Sequence, residues 1–178
     1  MHLTELLIVL ALVAILSNFA LPGMQELVEG REHEADYDAF AALLISARQS
    51  AILLNAPVTF CPGAQDRCGR RDLWQQQTLA FVDENRNRII DGNDHIIGQL
   101  KDLSFNIRWR SFRNRSYLRF RASGFTHWQN GNFTLCTDDA DPTKARQLVL
   151  NQVGRIYFSR DEDDDGVHED VQGNPLTC

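Results

Sequence analysis

The chain has 178 residues, a net charge of −6 and a mean hydropathy of −0.32. That length allows one long helix plus one domain of ordinary size, and the negative balance excludes generic, whole-surface binding of nucleic acid. The charge is unevenly spread: residues 29–38 are acidic, six arginines fall between Arg108 and Arg121, and seven acids fall between Asp161 and Asp170.

The first predicted element is apolar. Residues 6–24, nineteen in all, carry no charge and contain the run Leu-Leu-Ile-Val-Leu-Ala-Leu-Val-Ala-Ile-Leu. As a helix this stretch is roughly 28 Å long, about one hydrocarbon thickness, and only a helix satisfies its backbone in lipid. A secretory signal peptide would need a basic stretch ahead of the run and a small-residue cleavage site. Neither is present, and the first Lys or Arg is Arg31. A plain membrane anchor leaves Glu5 unexplained, because a carboxylate near lipid costs on the order of 2–3 kcal/mol and invites a cationic partner. An α-amino group is mostly positive at neutral pH and fits that role, whether its own or that of a neighbouring copy. Pro22 lacks an N–H and its ring crowds the carbonyl of Asn18, so a kink or loosened stretch is expected over residues 17–22.

The helix continues in a different pattern. Tyr37, Phe40, Ala41, Leu44, Ala47 and Ala51 recur at helical spacing, while Glu32, Glu34, Asp36 and Arg48 fall elsewhere on the wheel. This half is amphipathic and is expected to lay its apolar stripe on a sheet, stopping at Asn55 ahead of Pro57. A helix of about 50 residues exceeds the globular norm and makes sense where part of it lies in lipid or in a filament core. The division expected is 1–28 as a transmembrane and assembly segment and 29–178 as a periplasmic domain, with helix to about 54.

Beyond residue 56 the pattern becomes short β-like runs between Gly, Asn and Asp. Candidate strands are 58–61, 78–83, 96–99, 105–109, 118–121, 133–137, 147–150 and 155–159, and Asn130-Gly131 signals a hairpin turn. The fold class expected is α+β: one long N-terminal helix packed on an antiparallel β-sheet. The four cysteines allow three pairings. Cys61 and Cys68 flank a turn-rich hexapeptide suited to a local bridge, which leaves Cys136 with Cys178 to pin the C-terminus. An oxidising periplasm fits, and no cysteine pair has the two-to-four-residue gap typical of a zinc site.

The N-terminus resembles that of a mature type IV pilin: Glu5 at the fifth position, an apolar run directly after it, and Pro22. A second resemblance lies in Phe81-Val82-Asp83-Glu84-Asn85-Arg86-Asn87, Leu118-Arg119-Phe120-Arg121-Ala122-Ser123-Gly124, Asn130-Gly131-Asn132-Phe133-Thr134-Leu135-Cys136, and Leu148-Val149-Leu150-Asn151-Gln152-Val153-Gly154-Arg155. In order and spacing these strings are similar to the GspH/FimT/FimU pilin domain. The resemblance implies a structural subunit, not an enzyme. A leader would be removed by prepilin peptidase and Met1 methylated at its new N-terminus. The chain would sit in the inner membrane as a single-pass protein with a periplasmic domain, then move into a pilus fibre at the cell surface with other minor pilins, the major pilin and the assembly machinery. Twitching motility and adhesion follow from a place in the tip complex of a type IV pilus. Two alternatives stay open: a GspH-like minor pseudopilin of type II secretion, and a FimT-like DNA-binding minor pilin for natural transformation.

Two acidic segments have calcium-loop spacing. Asp83, Asn85, Asn87, Asp91 and Asp94 stand at offsets 1, 3, 5, 9 and 12, but position 6 is Arg88 where such a loop wants glycine. The bland alternative is a polar connection built on Asx turns. Asp161, Asp163, Asp165 and Gly166 match offsets 1, 3, 5 and 6, with Glu169 or Asp170 able to add a ligand and Gln172 breaking position 12. The alternative there is a solvated acidic loop. No cofactor other than calcium is expected.

The arginine-rich stretch interleaves basic and aromatic residues, a pattern that binds single strands or phosphates. Period 2 places Arg119 and Arg121 on one strand face, with Arg155 a third candidate contact. Of the Gly-Arg-x-Arg motif carried by the FimT branch, Gly154-Arg155-Ile156-Tyr157 supplies only the first arginine. The competing reading is an exposed, salt-bridged sheet face. Catalysis finds no support: His2, His33, His95, His127 and His168 are scattered, and Ser123-Gly124 is not a nucleophile elbow.

Overall fold

The computed structural model describes the backbone from Leu3 to Cys178, and the side chains of these residues except 14, 15, 17–27, 29 and 64. Helix α1 spans Leu3–Leu53, 51 residues, in line with the length read from the sequence. It runs through Pro22 without a break; the proline ring, on which the expected kink turns, lies outside the described residues. The chain divides into two compact units, the first ending at Ala35 and the second being Asp36–Cys178.

In the first unit the described apolar side chains of α1 are exposed. Leu6, Leu7, Ile8, Val9, Leu10, Leu12 and Val13 are all exposed, and Leu3 is 77% exposed. Among the described residues no helix is long and apolar enough to cross a membrane. Much of the expected span, residues 6–24, falls on side chains outside the description.

In the second unit α1 supplies a stripe one residue wide and about three turns long. Phe40, Leu44, Ala47 and Ala51 are fully buried, flanked by Ala41 and Leu43. The helix ends in a Schellman motif: Asn55 takes a left-handed φ of 51°, its N–H reaches Ile52 O, and the Ala56 N–H reaches Ala51 O at 3.2 Å.

Nine strands follow: β1 Val58–Ala64, β2 Arg67–Cys68, β3 Gln77–Val82, β4 Ile96–Lys101, β5 Asn106–Ser111, β6 Leu118–Phe120, β7 Gly131–Cys136, β8 Arg146–Leu150 and β9 Ile156–Phe158. They form two antiparallel sheets instead of one. The first has the order β6-β1-β3-β4, with β2 hairpinned onto the end of β1; the second has the order β5-β7-β8-β9. The chain crosses from one sheet to the other after β4, after β5 and after β6. After β5, Arg113 and Asn114 take left-handed φ of 62° and 54°, and Phe120 of β6 pairs with Val58 of β1. Asn130-Gly131 is not a hairpin turn. Gly131 opens β7 opposite Ser111, so close to β5 that a Cβ would stand 1.9 Å from the Arg110 carbonyl oxygen.

The core lies under the helical stripe. Phe40 packs edge-on against Phe60 of the first sheet at 5.5 Å and Phe133 of the second at 5.2 Å, and Trp109 stacks on Phe133 at 4.1 Å. At the helix end, Arg48 Nε donates to the Gly124 carbonyl at 3.1 Å, and Gly154 presses so near that a Cβ would lie 2.0 Å from that same oxygen. The loop after β6 thus meets the β8–β9 turn beneath α1, and the Thr126 N–H donates to Gln152 O at 3.1 Å. The first sheet is covered on its other face as well, by a small cluster of Cys61, Leu79, Phe81 and Tyr117.

Both expected disulfides form. Cys61–Cys68 closes the β1–β2 hairpin and Cys136–Cys178 ties the C-terminal tail to β7, with Cα separations of 5.6 and 5.7 Å. Leu176, 4% exposed, anchors the same tail.

Phe40→Ala is expected to destabilise the second unit by about 3–5 kcal/mol, read by denaturant unfolding of the full chain in detergent. Loss of the bridge spanning 42 residues should cost about 4 kcal/mol, against about 2.4 kcal/mol for the one spanning 7. Comparing the Cys136→Ser/Cys178→Ser and Cys61→Ser/Cys68→Ser variants checks the order.

Candidate functional site

Glu5 lies in the first turn of α1 with its side chain exposed. The helix N-terminus favours a negative charge there. Met1 lies outside the described residues, as does the side chain of Pro22.

The arginines expected on one face differ in burial. β6 ends at Phe120, so the strand alternation that paired Arg119 with Arg121 does not extend that far. Arg119 points under the loops that cover the first sheet and is 7% exposed. Its guanidinium donates to Asp83 Oδ2 at 2.8 Å, to Thr59 Oγ1 at 3.1 Å and to the Arg86 carbonyl at 3.0 Å, and lies 5.3 Å from the Tyr117 ring centre. Thr59 Oγ1 donates in turn to Asp83 Oδ2 at 2.6 Å. Asp83 is fully buried. This buried ion pair corrects two expectations at once: Arg119 is not on an exposed, phosphate-facing surface, and the Asp83 carboxylate is already neutralised by an arginine, not held for a cation. No local pattern announces the pairing, because the two residues are 36 positions apart.

Arg121 is exposed, and its Nε donates to His127 Nδ1 at 2.9 Å. Burial, then the Arg121 charge, hold the His127 imidazole below its usual range. Arg155 is exposed on the β8–β9 turn, its guanidinium 5.7 Å from the Tyr157 ring centre. Arg119 and Arg121 line one cleft with Arg86 and His127, while Arg155 lines a different one.

The two acidic loops also differ. In residues 83–94 the side chains close on one another: Asn85 and Asn87 donate their amides to the two oxygens of Asp91, at 2.9 and 2.7 Å, and Asp94 accepts from the Glu84 N–H at 3.1 Å. This is the polar connection of the bland reading. In residues 161–169 the carboxylates converge: Asp161, Asp163, Asp165 and Glu169 each offer an oxygen, and these lie within 4.8 Å of one another.

One surface was not visible in the sequence. Ile45 and Arg48 of α1, Phe125 of the loop after β6, and Val153, Ile156 and Phe158 around the β8–β9 turn line an open groove. Phe125, Val153 and Phe158 are exposed at 46%, 47% and 43%. Three separate elements build it, so no local pattern announces it.

This architecture, a long N-terminal helix whose amphipathic end caps antiparallel sheets, is that of a pilin-like α+β protein. Residues 36–154 match the family described as Type II transport protein GspH, and the chain belongs to that family. Among solved structures it is similar to the type IV minor pilin FimU of Pseudomonas aeruginosa strain PAO1 in two crystal forms. The first match has 14% sequence identity and a TM-score of 0.55, covering 75% of this chain and 92% of the other. The second has 14% identity and a TM-score of 0.53, covering 71% and 92%. At that identity the likeness is one of fold. No curated protein matches the chain. The family is one of structural pilin-type subunits, not enzymes.

Arg119→Met is expected to cost about 3–5 kcal/mol, because it strands the Asp83 carboxylate in the interior. Replacing both partners, Arg119→Met with Asp83→Leu, should recover most of that loss. A double-mutant cycle by denaturant unfolding measures both.

Proposed function

We propose that the protein is a minor pilin, a structural subunit that joins a type IV pilus and helps initiate its assembly, in a tip complex with other minor pilins. The observation that carries this reading is the pairing of a GspH-family domain with a helix whose exposed apolar residues, Leu3 to Leu16, have no protein covering them among the described residues. A helix apolar on all sides needs lipid or other helices around it. In this reading residues 6–24 sit first in the inner membrane and later among neighbouring helices in a fibre core, with the domain periplasmic before assembly. A leader is removed by prepilin peptidase and Met1 is methylated.

Glu5 gives the assembly its register. In the fibre core its carboxylate meets the N-terminal amine of an adjacent subunit, and any other axial offset would leave a charge buried without a partner. The groove lined by Phe125, Val153 and Phe158 is suited to contact with other pilins.

A second reading is favoured by the family's description, which names type II transport: a minor pseudopilin of a type II secretion system. It uses the same helix and the same carboxylate, so the two differ in partners and not in mechanism.

Glu5→Ala is expected to leave the chain membrane-retained and to lower its content in sheared, purified fibres by at least ~10-fold, since a misplaced partner charge in a core costs several kcal/mol. Immunoblotting of fibres against membranes reads this out, and unchanged incorporation overturns the proposal. Mass spectrometry of proteins co-purifying with the full chain separates the readings: pilus subunits for the first, pseudopilus subunits for the second.

A further inference from the structure

We infer that the cleft lined by Arg86, Arg119, Arg121, Ser123 and His127 docks an acidic segment of a neighbouring subunit through one of its carboxylates. The inference rests on the reading of this protein as a subunit only for where the segment comes from; the chemistry belongs to the cleft itself.

Three parts of the chain build it. Asn55 and Pro57 follow α1, Arg86 sits in the turn after β3 with a left-handed φ of 63°, and Arg119, Arg121 and His127 come from β6 and the loop after it. Arg121 Nε donates to His127 Nδ1 at 2.9 Å. A guanidinium only donates, so Nδ1 is the acceptor and the imidazole is neutral with its proton on Nε2. The ring therefore presents an N–H, and nothing among the described residues accepts it.

The observation that calls for a ligand is at Arg119, whose side chain is 8% exposed. Its Nε donates to Thr59, and its Nη2 to Asp83 and to the Arg86 carbonyl. Nη1 has no acceptor among the described residues, and it is not among the polar atoms sealed from solvent. A buried guanidinium lining the cleft thus keeps one nitrogen for a molecule outside the chain.

The charge points the same way. Asp83 neutralises Arg119, but among the described residues no carboxylate pairs with Arg86 or Arg121. His127 reports the surplus: after burial, the charges of Arg121, Arg119, Arg86 and Arg115 all hold its imidazole below the usual range.

Donors with excess positive charge select an oxyanion. The cleft encloses about 480 Å3, many times the share of about 30 Å3 that a water occupies, and so suits a group of many atoms more than a free ion. A nucleic-acid strand would carry its further phosphates along a chain of net charge −6, whereas a short acidic segment places its few charges where the two unpaired arginines are. Subunits of this kind carry such segments: this chain itself exposes Glu162, Asp163, Asp164 and Asp165 in a row.

The test is fluorescence anisotropy of a labelled Asp-Glu-Asp-Asp-Asp peptide, titrated with the purified full chain in detergent at about 20 mM salt. Saturable binding is expected, at least ~5-fold weaker at about 200 mM salt and lost for the Asn-Gln-Asn-Asn-Asn counterpart. Arg119 is left intact, because its removal strands Asp83. Arg121→Gln and Arg86→Gln, at exposed positions, should each weaken binding at least ~10-fold while keeping the Tm within ~2 °C of the parent. Arg110→Gln, exposed on β5 of the other sheet, should leave the affinity unchanged. The His127 titration midpoint, followed by NMR, should rise on adding peptide, because a carboxylate beside the ring stabilises its protonated form. No saturable binding, equal binding of the uncharged peptide, an equal loss in Arg110→Gln, or tighter binding of single-stranded oligothymidine of equal charge would overturn the inference. The peptide meets the isolated chain outside any fibre, so these outcomes are independent of the fibre content of Glu5→Ala, which judges the assembly reading.

Discussion

The second unit depends on one seam of side chains. Phe40, Leu44, Ala47 and Ala51 are the fully buried residues with which the helix holds two sheets that share no ladder hydrogen bonds. Phe40 does most of this, since its ring meets Phe60 in one sheet and Phe133 in the other. The alanines further along have a different task. They let α1 come down close enough for Arg48 to reach the Gly124 carbonyl, where Gly154 of the second sheet also arrives. A larger residue at Gly154 would run into the Gly124 carbonyl, and one at Gly124 into Ile52 of the helix.

The same helix carries a second pattern that has nothing to do with this core. From Leu3 to Leu16 the described side chains are apolar and exposed on all sides, with Glu5 the exposed carboxylate among them. A stripe specifies docking on one's own sheets; an all-round apolar surface specifies burial by something else. The change of pattern between Leu16 and Tyr37 is therefore a change of environment written into a single element. It is the physical ground for reading the chain as a subunit and not as a self-sufficient globule.

Much of this was legible in residue spacing. The 51-residue helix, its buried stripe, its stop near Asn55, the places of eight strands and both cysteine pairings follow from period, turn residues and loop length. What was not legible is nonlocal. β2, two residues long, exists because the β1 hairpin folds back on itself and has no pattern of its own. The division into two sheets rests on pairings between strands far apart in the chain, such as β6 with β1, which no local pattern announces. Arg119 was placed on an open face because alternation along a strand says which residues share a side, not whether that side is covered. Here the covering comes from Tyr117, Ile90 and the 83–88 turn, and a surface charge becomes a buried one.

The two acidic loops show why spacing alone does not make a cation site. Both have oxygens at alternate positions, and both place a left-handed residue sixth, Arg88 with φ of 66° in one and Gly166 in the other. The difference is in the count of donors. The first loop brings its own, the amides of Asn85 and Asn87, which satisfy Asp91, and its remaining buried acid is met by Arg119. The second has carboxylates at the equivalent positions and no amide among them, so its backbone N–H groups run out before its oxygens do. Its carboxylates accept instead from the backbone N–H groups of Glu162, Asp165, Gly166 and Val167, with Glu162 to Gly166 facing solvent. Equal spacing thus yields two different loops, because side-chain amides close the first on itself and only the backbone closes the second.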